Sequence, residues 1–302
     1  MTVRVRVPAT SANLGPGFDA LGLALGLYNE VTASEADGVS VTLAGEGTGR
    51  LPTGGDNVVA RGVRQAYEAA GRAFKGVALG CVNRVPAARG LGSSAAAWVG
   101  GLVAGNALLG GPLSREALLA LAARAEGHPD NVAAALFGGL TVSCPQADGR
   151  VTVVSLPVPG AFAWVVLIPE VTSATAEARA VLPASVPRAD AVFNVQRVAL
   201  LLAALQAQRA DALTDALDDR LHQPYRRRLF PWMPAVVEAA RLAGALGCVL
   251  SGAGPSLLAV VGGDPAAVAR AMESALAAAG IPGAARALPV DTEGAVVLPQ
   301  AS

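Results

Sequence analysis

The twelve residues Pro86-Ala87-Ala88-Arg89-Gly90-Leu91-Gly92-Ser93-Ser94-Ala95-Ala96-Ala97 constrain this chain more than any other stretch. An alternating run over 77–85 reads as a strand, a proline breaks it, and an alanine-rich helix follows. Gly90 and Gly92 lack a Cβ, so the backbone there is free to take unusual dihedrals and to approach a ligand closely. The paired serines stand where the helix opens. That places unpaired backbone N–H groups and the positive end of the helix dipole in front of any anion that docks. A polyphosphate fits this junction better than a neutral ligand does.

Other readings of the run fit less well. Gly90 to Ala95 matches G-x-G-x-x-A, but a dinucleotide fingerprint needs its first glycine directly after a strand and an acidic residue about 20 residues on. Here Pro86 to Arg89 intervene, and the next acidic candidate, Glu116, falls in a new helix. A Walker loop needs Gly-Lys-Ser/Thr, and the single lysine, Lys75, lies in another segment. A hydrolase elbow at Ser93 or Ser94, with Asp130 and His222 as partners, lacks its second glycine. A serine-capped turn explains one serine and not the whole run.

The run resembles the second motif of the GHMP kinase superfamily, Pro-x-x-x-Gly-Leu-Gly-Ser-Ser-Ala-Ala, with every fixed position present. The resemblance implies ATP binding by Pro86, Ala87, Ala88, Arg89, Gly90, Leu91, Gly92, Ser93, Ser94, Ala95 and Ala96. Upstream, an alternating strand over 2–7 stops at Pro8, and 8–19 reads as a long turn rich in short polar side chains. Its sequence, Pro-Ala-Thr-Ser-Ala-Asn-Leu-Gly-Pro-Gly-Phe-Asp, is similar to the first GHMP motif in its homoserine kinase form. This implies that Asn13 and Asp19 meet the amino and hydroxyl end of homoserine, and an aspartate suits an ammonium. Asp56 is expected to cap a helix running to about residue 70. Asn57 matches a family position that contacts adenine, although capping alone also explains the pair.

Beyond the phosphate run, a helix from Ser94 to about residue 109 stops at Gly110-Gly111-Pro112. Ser114 caps the next, with Ala117, Leu118, Leu121 and Ala122 facing inward. That helix delivers Glu126 into Glu126-Gly127-His128-Pro129-Asp130-Asn131-Val132, a polar island in an apolar chain. A capped helix-to-helix turn would suffice for it. The resemblance implies more: Ser94 and Glu126 as magnesium ligands, and His128 and Asp130 at the substrate. Mevalonate kinases place an aspartate, proposed as the catalytic base, where Asn131 aligns, and an amide cannot accept a proton at neutral pH. The chain is therefore expected to transfer phosphate without a conventional base, with Asp130 and Asn131 orienting the attacking hydroxyl.

Residues 145–150 look like a domain boundary, giving an ATP-binding half over 1–148 and a second half over 149–302. In the second half a strand over 161–169 precedes a short helix with Thr175 and Arg179 four apart on one face. Two further helices lead to Gln223-Pro224-Tyr225-Arg226. Arginines in such segments bind the substrate carboxylate in homoserine kinases, which implies Thr175, Arg179 and Arg226 here. The strand–turn–strand over 249–260, containing Gly254, resembles the third GHMP motif. A helix over 264–279 and strands over 284–290 and 295–298 complete the chain.

The irregular mixture of strands and helices indicates an α+β protein. The GHMP resemblance implies an N-terminal half like ribosomal protein S5 domain 2, a ferredoxin-like C-terminal half, and a site between them. It also implies ATP as phosphoryl donor, magnesium, and homoserine as the small-molecule acceptor in threonine biosynthesis. With 302 residues and a formal net charge of zero, the chain has room for two cores and carries no long basic tract for nucleic acid or anionic lipid. Three cysteines without C-x-x-C and only two histidines disfavour a zinc site and suit a reducing cytoplasm. There is no signal-like segment and no apolar run long enough to span a membrane, so a soluble enzyme is expected, with a homodimer left open.

Overall fold

The computed structural model describes residues 1–299. The chain opens with β1 (Thr2–Ala12) and β2 (Leu21–Glu35), paired antiparallel along almost their whole length. Val3, Val5 and Val7 point into the core, as the alternation requires. The strand does not stop at Pro8. The register with β2 shifts between Pro8 and Ala9, and a residue lacking an N–H is tolerated at such an irregularity. β1 therefore continues to Ala12 and carries Thr10 and Ser11 to the mouth of the site.

β3 (Gly38–Gly45), α1 (Val58–Ala69) and β4 (Gly76–Asn83) follow, with β3 parallel to β4 and β4 antiparallel to β2. α2 (Ser93–Leu108) is apolar around its whole circumference because it runs through the core, where Leu102 is fully buried. Each such leucine contributes about 1.5–3 kcal/mol relative to exposure. α3 (Arg115–Glu126) begins at Ser114, whose hydroxyl accepts from Ala117 N at 3.2 Å. Its buried face is Leu118, Leu119 and Ala122, with Ala117 and Leu121 only partly covered.

α4 (Asp130–Phe137) crosses β2 at Gly22, where any Cβ would collide with the Asp130 carbonyl. Only glycine lets the helix come this close to the sheet. β5 (Leu140–Pro145) and β6 (Val151–Leu156) then form a hairpin joined to the first sheet through β2. The expected division after residue 148 thus falls in a hairpin turn, because both flanking strands complete one ladder. The chain leaves this sheet only after Leu156.

The second sheet is built from β7 (Ala163–Pro169), then α5 (Thr175–Ala180), α6 (Arg188–Gln206), α7 (Ala210–Ala216), α8 (Gln223–Arg226), α9 (Met233–Leu242), β8 (Ala245–Leu250), β9 (Leu257–Val261), α10 (Pro265–Ala278) and β10 (Gly283–Leu288). Its order, β10-β7-β9-β8, all antiparallel, is that of a ferredoxin-like unit. β11 (Val296–Leu298) returns to the first sheet and pairs with β1. One core lies between the first sheet and α1–α4, and another lies under α9 and α10. A third is shared by the two sheets, with Leu21, Leu23 and Leu140 meeting Trp164, Val166 and Leu258. No helix among the described residues is long and apolar enough to cross a membrane.

Candidate active site

Three loops converge on the N-terminus of α2. The loop over 86–92 takes left-handed backbone at Ala88, Gly90 and Gly92, and α2 starts at Ser93 with no side chain capping it. Its first N–H groups face a cavity lined by Asn13, Asp19, Ser94, Asp130, Arg179 and Arg226, among others. β1 holds the loop from one side through Thr10 N donating to Leu91 O at 3.1 Å. The turn between β8 and β9 holds it from the other, with Ser251 Oγ donating to Gly90 O at 2.7 Å. These two bonds hold the loop between β1 and the β8–β9 turn.

At the C-terminal end of α3, Gly127 (φ 87°) turns the chain sharply and leaves Glu126 opposite α2. Ser94 Oγ donates to Glu126 Oε2 at 2.8 Å. Burial raises the Glu126 pKa, and the Ser94 hydrogen bond only partly offsets it. His128 Nδ1 donates to Asp130 Oδ1 at 2.7 Å, and the Asn131 backbone N–H donates to the same oxygen at 2.7 Å. Burial works against the charged imidazole of His128. The Asp130 hydrogen bond and the charges of Asp130 and Glu126 outweigh it, and the pKa is raised. Asn131 Oδ1 accepts from Thr10 Oγ1 at 2.8 Å, so its amide is anchored to β1 beside Gly92.

On the opposite wall, Arg179 binds Asp19 in a bidentate pair, with Nη2 to Oδ1 at 2.7 Å and Nη1 to Oδ2 at 3.0 Å. This bonding raises the Arg179 pKa. Asn13, Leu14 and Asp19 all have positive φ, an arrangement held by Asn13. Its Oδ1 accepts from Asp19 N at 3.0 Å, and its Nδ2 donates to Gly252 O at 2.9 Å. Asn13, expected at the substrate, lines the cavity but spends its amide on positioning Asp19.

Arg226 is the largest fully buried side chain of the described residues. Nε donates to Ala178 O at 3.1 Å and Nη1 to Gly252 O at 3.1 Å. Nη1 also donates to His222 Nδ1 at 3.1 Å, while His222 Nε2 donates to Gly15 O at 2.8 Å, which fixes the histidine tautomer. Burial lowers the His222 pKa, leaving a neutral ring. Burial first, and the nearby Arg179 charge second, bring the Arg226 pKa down to about 10, so the guanidinium stays charged at neutral pH without a carboxylate bonded to it. A buried cation held only by neutral acceptors calls for an anion.

A second cavity, more apolar, opens behind the same loop and is lined by Asn29, Leu43, Pro52, Asn57, Cys81 and Ala87, among others. Ala88, Ser93 and Ser94 border both cavities. Asn57, not Asp56, is the N-cap of α1: its Oδ1 accepts from Val59 N at 2.9 Å and its Nδ2 donates to Pro52 O at 2.7 Å. Extended φ/ψ at Asn57 brings its own carboxamide onto the first turn, which displaces Asp56 from that role.

Sequence reasoning missed Phe18, which stacks on His222 with centroids 5.1 Å apart and lies under both Arg179 and Arg226. It also missed Thr10, Ser173 and the lining supplied by β2 and β3. None of these stands at a telling spacing.

Residues 57–139 match the GHMP kinases N terminal domain family and residues 201–278 the GHMP kinases C terminal family. A homoserine kinase of Moorella thermoacetica is 46% identical over 294 residues, covering 97% of this chain and 99% of the relative. The chain belongs to the homoserine kinases. A second member, from Desulfitobacterium hafniense, is 45% identical over 98% of the chain and all of its own length. The crystal structure of homoserine kinase from Cytophaga hutchinsonii superposes with a TM-score of 0.89 at 33% identity, covering 98% of this chain and 97% of that one. The GHMP kinase fold expected from the motifs is the fold observed, and the chain is a phosphotransferase of this homoserine kinase family.

Proposed function

We propose that the chain transfers the γ-phosphoryl group of ATP to the side-chain hydroxyl of L-homoserine, on the route to threonine. The supporting observation is the Asp19–Arg179 pair beside the carboxylate-free Arg226, all within reach of the α2 N-terminus in one cavity. An amino acid carries both charges needed to part that pair. Its ammonium replaces Arg179 at Asp19, and its carboxylate takes the guanidinium groups of Arg179 and Arg226. Thr175, on the turn of α5 before Arg179, and Gly254 line the same pocket. His128 and Asp130 stand on the far wall, where the acceptor hydroxyl would be oriented.

The nucleotide base occupies the second cavity beside Asn57, and the phosphates cross at Ser93 and Ser94 onto the α2 N-terminus. Ser94 hydroxyl and Glu126 carboxylate, 2.8 Å apart, form a hard oxygen pair of the kind that holds Mg²⁺ alongside phosphate oxygens and water. The bound ion would neutralise charge on the phosphates. In the transfer, a bond forms from the homoserine oxygen to the γ-phosphorus and the bond from that phosphorus to the β-bridging oxygen breaks. ADP leaves with the electron pair, and the hydroxyl proton passes to a phosphoryl oxygen. No general base is required by the loose transition state. Asp130, already accepting from His128 and the Asn131 N–H, orients the hydroxyl, while Asn131 holds the loop through Thr10. We place the enzyme in the cytoplasm, where Cys81, Cys144 and Cys248 remain free.

ATP turnover with magnesium, measured with L-homoserine against L-serine, L-threonine, mevalonate and no acceptor, tests the reading. Rapid turnover with homoserine alone is expected. Equal turnover with mevalonate, or none with any acceptor, would overturn it.

A further inference from the structure

Arg89 occupies one of the variable positions of the phosphate-loop pattern and lines the cavity, and its side chain makes no hydrogen bond, ion pair or aromatic contact. Its Nε is buried and unpartnered. Arg179 is bonded to Asp19, and Arg226 to two carbonyls and an imidazole, which leaves Arg89 as the uncommitted arginine of this cavity among the described residues. Ser173 supplies a second orphan. It is 9% exposed, lines the same cavity, and its buried Oγ has no partner. Its backbone N–H donates to Ala88 O at 3.0 Å, so it sits against the turn that delivers Arg89. Ala88 is held at φ 55°, backbone that a residue with a Cβ seldom adopts unless its surroundings impose it. Two residues with unsatisfied polar atoms, from opposite halves of the fold, therefore line one cavity, with the backbone of Ser173 bonded to the residue before Arg89.

The two cavities locate these residues along the nucleotide. Ala88, Ser93 and Ser94 border both, whereas Arg89 and Ser173 line only the cavity that holds Asp19, Asp130, Arg179 and Arg226. They thus lie beyond the crossing, on the acceptor side. We propose that Arg89 and Ser173 form a clamp for the γ-phosphoryl group, with Arg89 as a catalytic residue that neutralises the equatorial oxygens during transfer and Ser173 donating its hydroxyl to one of them. This rests on the kinase reading above. The loop's backbone amides would meet the phosphates, Ser94 and Glu126 would hold the metal, and Arg89 adds the positive charge that a chain with a single lysine, Lys75, otherwise lacks at this point.

The test uses the full-length Arg89→Ala, Arg89→Lys and Ser173→Ala variants. Arg89→Ala should lower kcat by about 10²–10³-fold, the usual effect of losing one transition-state donor. Its affinity for Mg·ADP, measured by calorimetry, should stay within about twofold of wild type, while Mg·AMP-PNP should bind about 10- to 100-fold more weakly, as expected for a lost charge-assisted hydrogen bond. Guanidinium added at millimolar concentration should restore part of the Arg89→Ala rate, and Arg89→Lys should retain more activity than alanine. Ser173→Ala should lower kcat about 5- to 10-fold, again without change in Mg·ADP binding. Wild-type kcat in Arg89→Ala, or equal loss of Mg·ADP and Mg·AMP-PNP binding, would overturn the clamp. Ser173→Ala gives an independent readout through its nucleotide affinities. The calorimetry involves no acceptor, so a wild-type enzyme silent toward homoserine would defeat the substrate reading while the clamp is still judged on the two nucleotides.

Discussion

Gly90 is where the phosphate loop is pressed against the turn between β8 and β9, and Gly90→Ala measures that pressure. Two costs are expected. At φ 73° an L-residue costs about 1–2 kcal/mol in backbone energy. In addition, the new Cβ would stand 3.0 Å from both Gly254 N and Gly254 O and closer still to the Ser251 carbonyl, none of them the yielding end of a side chain. Forcing a methyl group into a packed site adds about 1–3 kcal/mol. Gly111→Ala separates the two costs, because Gly111 has φ 81° with nothing within 4 Å of the added carbon. With an unfolding entropy of about 2.1 cal/mol/K per residue, 1 kcal/mol shifts the melting midpoint of a 302-residue chain by about 1.6 °C. Gly111→Ala should then lose about 2–3 °C, and Gly90→Ala about 3–8 °C by calorimetry or thermal circular dichroism. Gly90→Ala should also raise KM for ATP, since the loop must retreat from Ser251 to relieve the clash. Equal shifts for the two variants, with KM for ATP unchanged, would refute the close approach of the loops.

The charged groups respond to pH and to substitution in ways that can be measured. The two histidines should titrate on opposite sides of the ordinary value near 6.5 in an NMR titration, His128 above it and His222 below. The stability contributed by His128 is full below its unfolded pKa and fades as pH rises through its raised folded one. His222 acts oppositely, since below pH of about 6.5 the unfolded chain takes up a proton that the buried ring refuses. Asp130→Asn should bring the His128 midpoint down, and an unmoved midpoint would contradict the Nδ1–Oδ1 bond. Glu126→Gln retains an acceptor for Ser94 but loses the charge, so the Mg²⁺ concentration for half-maximal turnover should rise about tenfold or more.

The parts of the molecule that announced themselves in the sequence are those where local chemistry sets the backbone. Gly90, Gly92 and the serines mark a loop opening a helix, and α2 starts at Ser93, one residue before the expected Ser94. Ser114 and Asp264 cap their helices through their own side chains. What stayed hidden depends on tertiary contacts. β2 is apolar on both faces over its first half, so no alternation betrays it. The β5–β6 hairpin reads locally as a linker, since Pro145 and Gly149 punctuate it as a boundary would. Asp56 and Asn57 are equally good caps on paper, and only the dihedrals at Asn57 decide between them. Asp19 and Arg179, 160 positions apart, were each expected to face a ligand, and the fold joins them to each other.

The return of β11 to the first sheet has a consequence for the order in which the protein can be made. Arg4 lies opposite Leu298 and Arg6 opposite Val296, so β1 waits for residues nearly 300 positions later before this part of its outer edge is covered. At about 5–20 residues per second, that edge stays open for about 15–60 s during synthesis. Unpaired strand edges invite pairing with other chains, and charged side chains discourage it. Arg4 and Arg6 stand on that strand, with Arg6 engaged by Glu293 once the C-terminal segment is in place. Replacing both arginines with valine should therefore cost more soluble protein during expression than it costs stability in the finished fold, and equal losses would contradict this reasoning.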